Sequence, residues 1–200
     1  MKKKTNLILI LISLLIFITF AILIKTNNIS NFDNTIYNLV TTYKNDNITI
    51  FFKTITFFCS SYFLISIIII SLLTLKRDKI GIKITINIII CILINTLLKN
   101  VFKRPRPIGI HLINENGYSF PSGHSMASLS CYGFFIHLIN KKDISKFKKI
   151  LLTIILSLII ILIGISRIYL GVHYASDVMA GFALSFAHLM TYLLYYKKIG

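Results

Sequence analysis

Acidic side chains are scarce in this chain: six Asp and Glu stand against 22 Lys and Arg, a formal net charge of +16 over 200 residues. An excess of that size suits nucleic acid when it forms a stripe on a soluble surface. Here the basic residues fall instead in short clusters between apolar runs, as in a membrane protein lying against anionic lipid. No nucleic-acid partner is expected. Cysteine is sparse and odd in number. Cys59, Cys91 and Cys131 each lie in or beside an apolar run, and no C-x-x-C or Cys/His ligand spacing occurs. That argues against a disulfide framework and a metal module, and leaves three small buried hydrophobes. Internal repeats and low-complexity linkers are also missing, so residues 1–200 read as a single integral-membrane domain.

Apolar residues are abundant, at 56% of the chain with a mean hydropathy of +0.79. A soluble domain of this length rarely carries as much. They gather into six runs, at about 7–24, 54–74, 82–98, 121–139, 150–166 and 173–196. Each is near the ~20 residues that cross a bilayer core. The expected fold is all-α, a six-span transmembrane helical bundle. The first run follows Lys2, Lys3 and Lys4 but is too long for a signal-peptide core, and no A-x-A-like site follows it. It reads as an uncleaved span. Residues 27–50 connect the first two spans. There Ile36, Leu39 and Val40 recur at helical spacing behind Asp33, a candidate N-cap. A short interfacial helix is predicted.

Orientation follows from Lys and Arg placement. With the N-terminus inside, Lys2, Lys3, Lys4, Lys76, Arg77, Lys79, Lys83, Lys141, Lys142, Lys146, Lys148, Lys149, Lys197 and Lys198 all lie inside, 14 of the 22. Both termini are therefore expected to be cytoplasmic in a multi-pass protein of the cell membrane. The exceptions are informative. Lys99, Lys103, Arg104, Arg106 and Arg167 crowd the outward ends of the third and fifth spans, and cations on the disfavoured side need a reason.

Three outward segments supply one: "KNVFKRPRP" (99–107), "SFPSGHS" (119–125) and "SRIYLGVHYASD" (166–177). His173 and Asp177 are four apart and would share a helix face. The carboxylate would then accept from one imidazole nitrogen and leave the other with a lone pair for attack. In the second segment Pro121 suits a helix's first turn, Ser122 can cap or bind, and Gly123 admits a ligand close to the backbone. Free N–H groups at that helix start would face an anion, with His124 at the rim. Arg104 and Arg106 each precede a proline and are biased to extended backbone. Either guanidinium suits phosphate oxygens, and the residues alone do not choose between them. Cations, a helix-start cradle and an oriented histidine together suit phosphoryl transfer through a phosphohistidine.

The chain resembles the type 2 phosphatidic acid phosphatase (PAP2) superfamily in three ordered signatures. K-x6-R-P is met at Lys99, Arg106 and Pro107. P-S-G-H is met at Pro121, Ser122, Gly123 and His124. S-R-x5-H-x3-D is met at Ser166, Arg167, His173 and Asp177. The resemblance implies a six-span bundle of PAP2 type, with His173 as nucleophile, Asp177 orienting it, and His124 as proton donor. It implies that Lys99, Arg106, Arg167, Ser122 and Gly123 bind the substrate phosphate, choosing Arg106 over Arg104. It implies no cofactor and no metal, and a lipid phosphate or diphosphate substrate taken from the bilayer at the extracytoplasmic face. Undecaprenyl diphosphate ranks first by that analogy, with phosphatidic acid and phosphatidylglycerophosphate as alternatives.

Other readings are a lipid phosphotransferase, which would share the phosphohistidine, and a catalytically dead lipid-binding protein, which would need the cations but not the oriented histidine. A transporter would want polar groups at mid-membrane. His137 and His188 fall ~20 Å along their helices from His124 and His173 and are expected to be structural. His111 shares the cationic loop, where it could contact a headgroup. Tyr118 and Phe120 are expected to pack at the interface.

Overall fold

Lipid offers the backbone no hydrogen-bond partners, so an apolar run must satisfy its own amides, and a helix is the local solution. The computed structural model describes residues 2–75, 79–109 and 111–195. Among the described residues the regular elements are helices: α1 (Lys2–Lys25), α2 (Ser30–Thr41), α3 (Asp46–Phe57), α4 (Ser61–Thr74), α5 (Ile80–Phe102), α6 (Gly123–Lys141), α7 (Lys146–Tyr169) and α8 (Ala175–Tyr195). Lys76, Arg77, Tyr196, Lys197 and Lys198, and the side chains of Lys2 and Lys3, lie outside the described residues.

Five segments are long and apolar enough to cross a bilayer: α1, α3 together with α4, α5, α7 and α8. The fourth expected span, α6, has 19 residues but is more polar. Its position supplies the reason. It packs against α5, α7 and α8 and buries Ser125, Ser128 and Ser130 beside Cys131 and Phe134. A helix that meets protein on most sides needs small, close-packing residues more than lipid-like ones. The result is an all-α bundle of six membrane-crossing segments.

The second span is broken, where the hydropathy suggested one run over 54–74. Turn bonds from Phe58 to Ile55 and from Cys59 to Thr56 end α3, and the Ser60 hydroxyl caps α4 by accepting the Phe63 N–H at 3.3 Å. A break at this depth needs partners for its polar groups. The Tyr132 hydroxyl donates to the Phe58 carbonyl, and the Cys59 thiol donates to the His124 carbonyl at 3.4 Å. Below the break the two halves diverge, α3 packing on α7 and α4 on α5. The α4–α5 crossing is tight: a Cβ at Gly81 would lie 2.3 Å from the Ser71 carbonyl oxygen, so only glycine permits it.

The predicted short helix is present as α2, and it packs on α7 and α8. Ile36, Tyr37 and Val40 join Ile168, Ala175 and Val178 in one cluster, while Leu39 stays 69% exposed. Asp33 is not its N-cap. The helix starts at Ser30, and Asp33 lies buried in the first turn, because tertiary partners claim its carboxylate. Phe120 is fully buried rather than interfacial. It stacks on Phe17 at 5.6 Å and meets Phe102 edge-on at 4.8 Å, tying α1 and α5 to the loop before α6.

Candidate active site

The helix α6 begins at Gly123, so Ser122 is its N-cap and Pro121 stands outside its first turn, after a cis Phe120–Pro121 bond. The Ser122 Oγ accepts from the Ser125 N–H at 3.4 Å and the Ser125 hydroxyl at 2.9 Å, and the Ser122 N–H donates to the Asp177 carbonyl at 3.1 Å. A Cβ at Gly123 would stand 3.0 Å from Asn95 Oδ1. Close packing against α5, not ligand approach alone, therefore accounts for that glycine. The Asn95 amide also donates to the Pro121 carbonyl at 3.0 Å and so pins the turn. His124 projects from this helix start, half-buried. It lies within electrostatic reach of Arg167, His173, Lys99 and Arg106.

His173 lies in the turn between α7 and α8, not on α8, which starts at Ala175. The expected shared helix face is thus not the geometry. Gly171 takes a φ of +76°, which favours glycine, and the chain doubles back. The His173 and Val172 N–H groups both donate to the Arg167 carbonyl at 3.2 Å. Asp177, in the first turn of α8, reaches back across this turn. Its Oδ2 accepts the Tyr174 N–H at 2.9 Å and stands 3.5 Å from His173 Nδ1. The His173 side chain is 2% exposed. Burial pushes its pKa well below the ordinary imidazole value, and the Arg167 and Arg106 guanidinium groups push the same way. The ring is therefore neutral. Nδ1 makes no hydrogen bond among the described residues; a tautomer with Nδ1–H toward the carboxylate would leave the lone pair on Nε2, which lies 3.3 Å from Arg106 Nη1.

The two arginines left open by their sequence context do different things. Arg104 donates to Asp177 Oδ1, to Asp33 Oδ2 at 2.8 Å and to the Ser176 hydroxyl at 2.8 Å. Its guanidinium also lies 3.9 Å from the centre of the Tyr174 ring. It backs the carboxylate from behind. Arg106 is held at the front by loop carbonyls, donating to Val172 and Asn116 at 2.8 Å and to Gly117 at 3.0 Å. Arg167 is fully buried. It donates to the Thr56 hydroxyl at 2.6 Å and to Glu115 Oε1, and its Nε has no partner among the described residues. A buried donor left so costs about 1–3 kcal/mol. Lys99, half-buried in the last turn of α5, lies within electrostatic reach of Arg106, Glu115, Asp177 and Arg167.

Sequence reasoning missed Asp33, Glu115 and Asn95. Asp33 accepts from the Ser176 N–H and hydroxyl, each at 2.8 Å, and from Arg104, which latches α2 to the start of α8. The Glu115 carboxylate bridges two of the signature cations, bonded to Arg167 and 3.6 Å from Arg106 Nη2. Of the six acidic residues in the chain, Asp33, Glu115 and Asp177 converge on this one site, a grouping that only the fold makes. The other histidines lie apart from it. His188 Nε2 meets the Asn87 Oδ1 at 3.1 Å, His137 stacks near Phe134, and exposed His111 bonds the Pro107 carbonyl at 2.7 Å.

Two cavities reach the site. One of about 280 Å³ opens between α4, α5 and α6 beside His124, with Leu64, Ile65, Ile68 and Ile92 on its walls. Another of about 300 Å³ reaches His173 from the loop side, past Asp33, Tyr37 and Pro107.

A family model described as the PAP2 superfamily matches residues 80–200. Phosphatidylglycerophosphatase B of Bacillus subtilis is 44% identical over 94 residues, 46% of this chain and 46% of that protein. Dolichyldiphosphatase of Saccharomyces cerevisiae is 28% identical over 113 residues, 53% of this chain and 46% of that one. The aligned segments thus span about half the length of these curated relatives. The crystal structure of the first transmembrane PAP2 type phosphatidylglycerolphosphate phosphatase from Bacillus subtilis superposes with a TM-score of 0.86 at 29% identity, covering 96% of this chain and 97% of that one. Aquifex aeolicus LpxE shares the fold with a TM-score of 0.65 at 24% identity, covering 80% of this chain and 93% of that one.

Proposed function

The chain belongs to the PAP2 superfamily, and on that premise we propose that it is a membrane lipid phosphatase acting through a phosphohistidine. His173 Nε2 attacks phosphorus, an N–P bond forms, and the P–O bond to the lipid breaks. His124 protonates the departing oxygen. It then takes a proton from water, which attacks the phosphohistidine, releases inorganic phosphate and restores the imidazole. Asp177 holds Nδ1 and offsets the charge on the phosphorylated ring. Lys99, Arg106 and Arg167 neutralise the phosphoryl oxygens, helped by the Ser122 hydroxyl and the Gly123 N–H at the helix start.

The observation that carries this reading is the two-sided environment of His173, with a carboxylate 3.5 Å from Nδ1 and a guanidinium 3.3 Å from Nε2. Cation-only lipid binding has no use for that polarity. The apolar cavity beside His124 supports a substrate whose chain stays in the bilayer. Phosphatidylglycerophosphate is the substrate we place first, because the Bacillus subtilis curated relative and the Bacillus subtilis crystal structure are both named for it. Undecaprenyl diphosphate is second, since the dolichyldiphosphatase match points to polyprenyl diphosphates. We place the whole chain in a single integral domain, both termini in the cytoplasm and the site outside.

The test is phosphate release from purified protein on a panel of lipid phosphates without added metal. Release is expected, and His173→Ala should lower it by about three orders of magnitude or more. Full activity in that variant would overturn the mechanism.

A further inference from the structure

The divergence of α3 and α4 leaves a second opening, at the other end of the bundle. Beyond the break α4 leans on α5, and a groove separates it from α7. The cavity there measures about 1150 Å³, above the ~300–1,000 Å³ of most small-molecule pockets. Its walls are apolar, with Phe63 and Ile67 of α4, Phe134 and Phe135 of α6, and Ile155 and Leu156 of α7. Its rim is cationic: Lys83, Lys141 and Lys142 line it, with Asp143 as the acidic member. Lys141 closes α6, whose first turn carries His124, so the rim lies ~25 Å from the catalytic histidines at 1.5 Å per residue.

We propose that this groove is a binding site for an anionic phospholipid of the opposite leaflet. Its acyl chains lie along the aromatic and aliphatic walls, and its phosphate meets Lys83, Lys141 and Lys142. Charge complementarity selects this occupant. A zwitterionic lipid covers the walls but matches the rim poorly, and a soluble anion matches the rim but leaves the walls uncovered. In the proposed orientation the rim faces the cytoplasmic leaflet, where basic pockets between helices meet anionic headgroups. The proposal does not depend on the chemistry at His173.

Full-length protein in nanodiscs of equal phosphatidylglycerol and phosphatidylcholine, released and weighed by native mass spectrometry, reports which lipid it retains. Phosphatidylglycerol should exceed phosphatidylcholine roughly tenfold. The Lys83→Gln/Lys141→Gln/Lys142→Gln variant should lose most of that preference. Leu138→Trp, which fills the groove without touching its charge, should lose the retained lipid itself. Arg106→Gln, at the catalytic end, should keep both. Equal retention of the two lipids by the wild type would overturn the proposal, as would undiminished retention in both groove variants or loss in Arg106→Gln alone. Should the triple variant not fold, the exposed pair Lys141→Gln/Lys142→Gln reads the same preference.

Discussion

At the scale of single residues, position relative to His173 separates side chains of identical chemistry. Arg104 supports Asp177 and Asp33, whereas Arg106 faces His173 Nε2, the nitrogen we propose attacks. Arg104→Gln strands two buried carboxylates and should lower stability by about 3 kcal/mol, read as an earlier thermal unfolding. Arg106→Gln, which frees three loop carbonyls, should lower stability by about 1–3 kcal/mol and cut kcat/KM by about 10²-fold or more. Glu115 occupies the arginines that the phosphoryl group needs. Glu115→Gln removes that competitor, so KM for a soluble phosphate ester and the inhibition constant for inorganic phosphate should both fall several-fold; a raised KM would assign Glu115 a supporting role instead. The pH dependence has a definite sign. Burial and two guanidinium groups hold the His173 pKa well below its ordinary value, so protonation of the nucleophile requires more acid. The acid limb of kcat/KM, corrected for ionisation of the substrate phosphate, should have its midpoint below about pH 6.5. The motifs made His173, His124 and Arg167 legible in sequence. Glu115 was not, because a single carboxylate in an irregular loop has no periodicity or spacing to announce it.

At the scale of elements, the apolar runs announced the helices, but hydropathy could not locate the break in the second span. Residues 46–74 read as one candidate span with a mean hydropathy of 2.2, and the interruption is set by a Ser60 cap and by Tyr132 satisfying the freed Phe58 carbonyl from another helix. The crossing of α4 and α5 depends on one missing side chain. Gly81→Ala places a methyl group against the Ser71 backbone, which cannot rotate away. It should cost about 1–3 kcal/mol, read as a lowered unfolding temperature, whereas the same change at exposed Ile82 should be nearly silent. The case of α2 runs the other way. Its helical spacing was readable, but its destination was not, because Asp33 is recruited by Ser176 and Arg104 from far along the chain.

At the scale of the whole molecule, the catalytic cluster occupies one end of the bundle and the lysines of the α6–α7 connection the other. In the orientation we propose from the Lys and Arg asymmetry, the latter lie in the cytoplasm. Right-side-out vesicles should therefore hydrolyse an added lipid phosphate, and inside-out vesicles should do so only after permeabilisation. The reverse pattern would overturn the orientation.

By itself the sequence determined the helical class, the spans, and the residue types of the site, because lipid solvent and phosphoryl chemistry each demand a narrow vocabulary written at short range. The signature pattern favoured Arg106 over Arg104; only the tertiary structure decided what Arg104 does instead, which carboxylates balance the clustered cations, and that His173 rides on a turn before α8. Those outcomes depend on contacts between segments up to 143 positions apart. Burial makes every such charge find a partner, and only the packed bundle decides which partner is near.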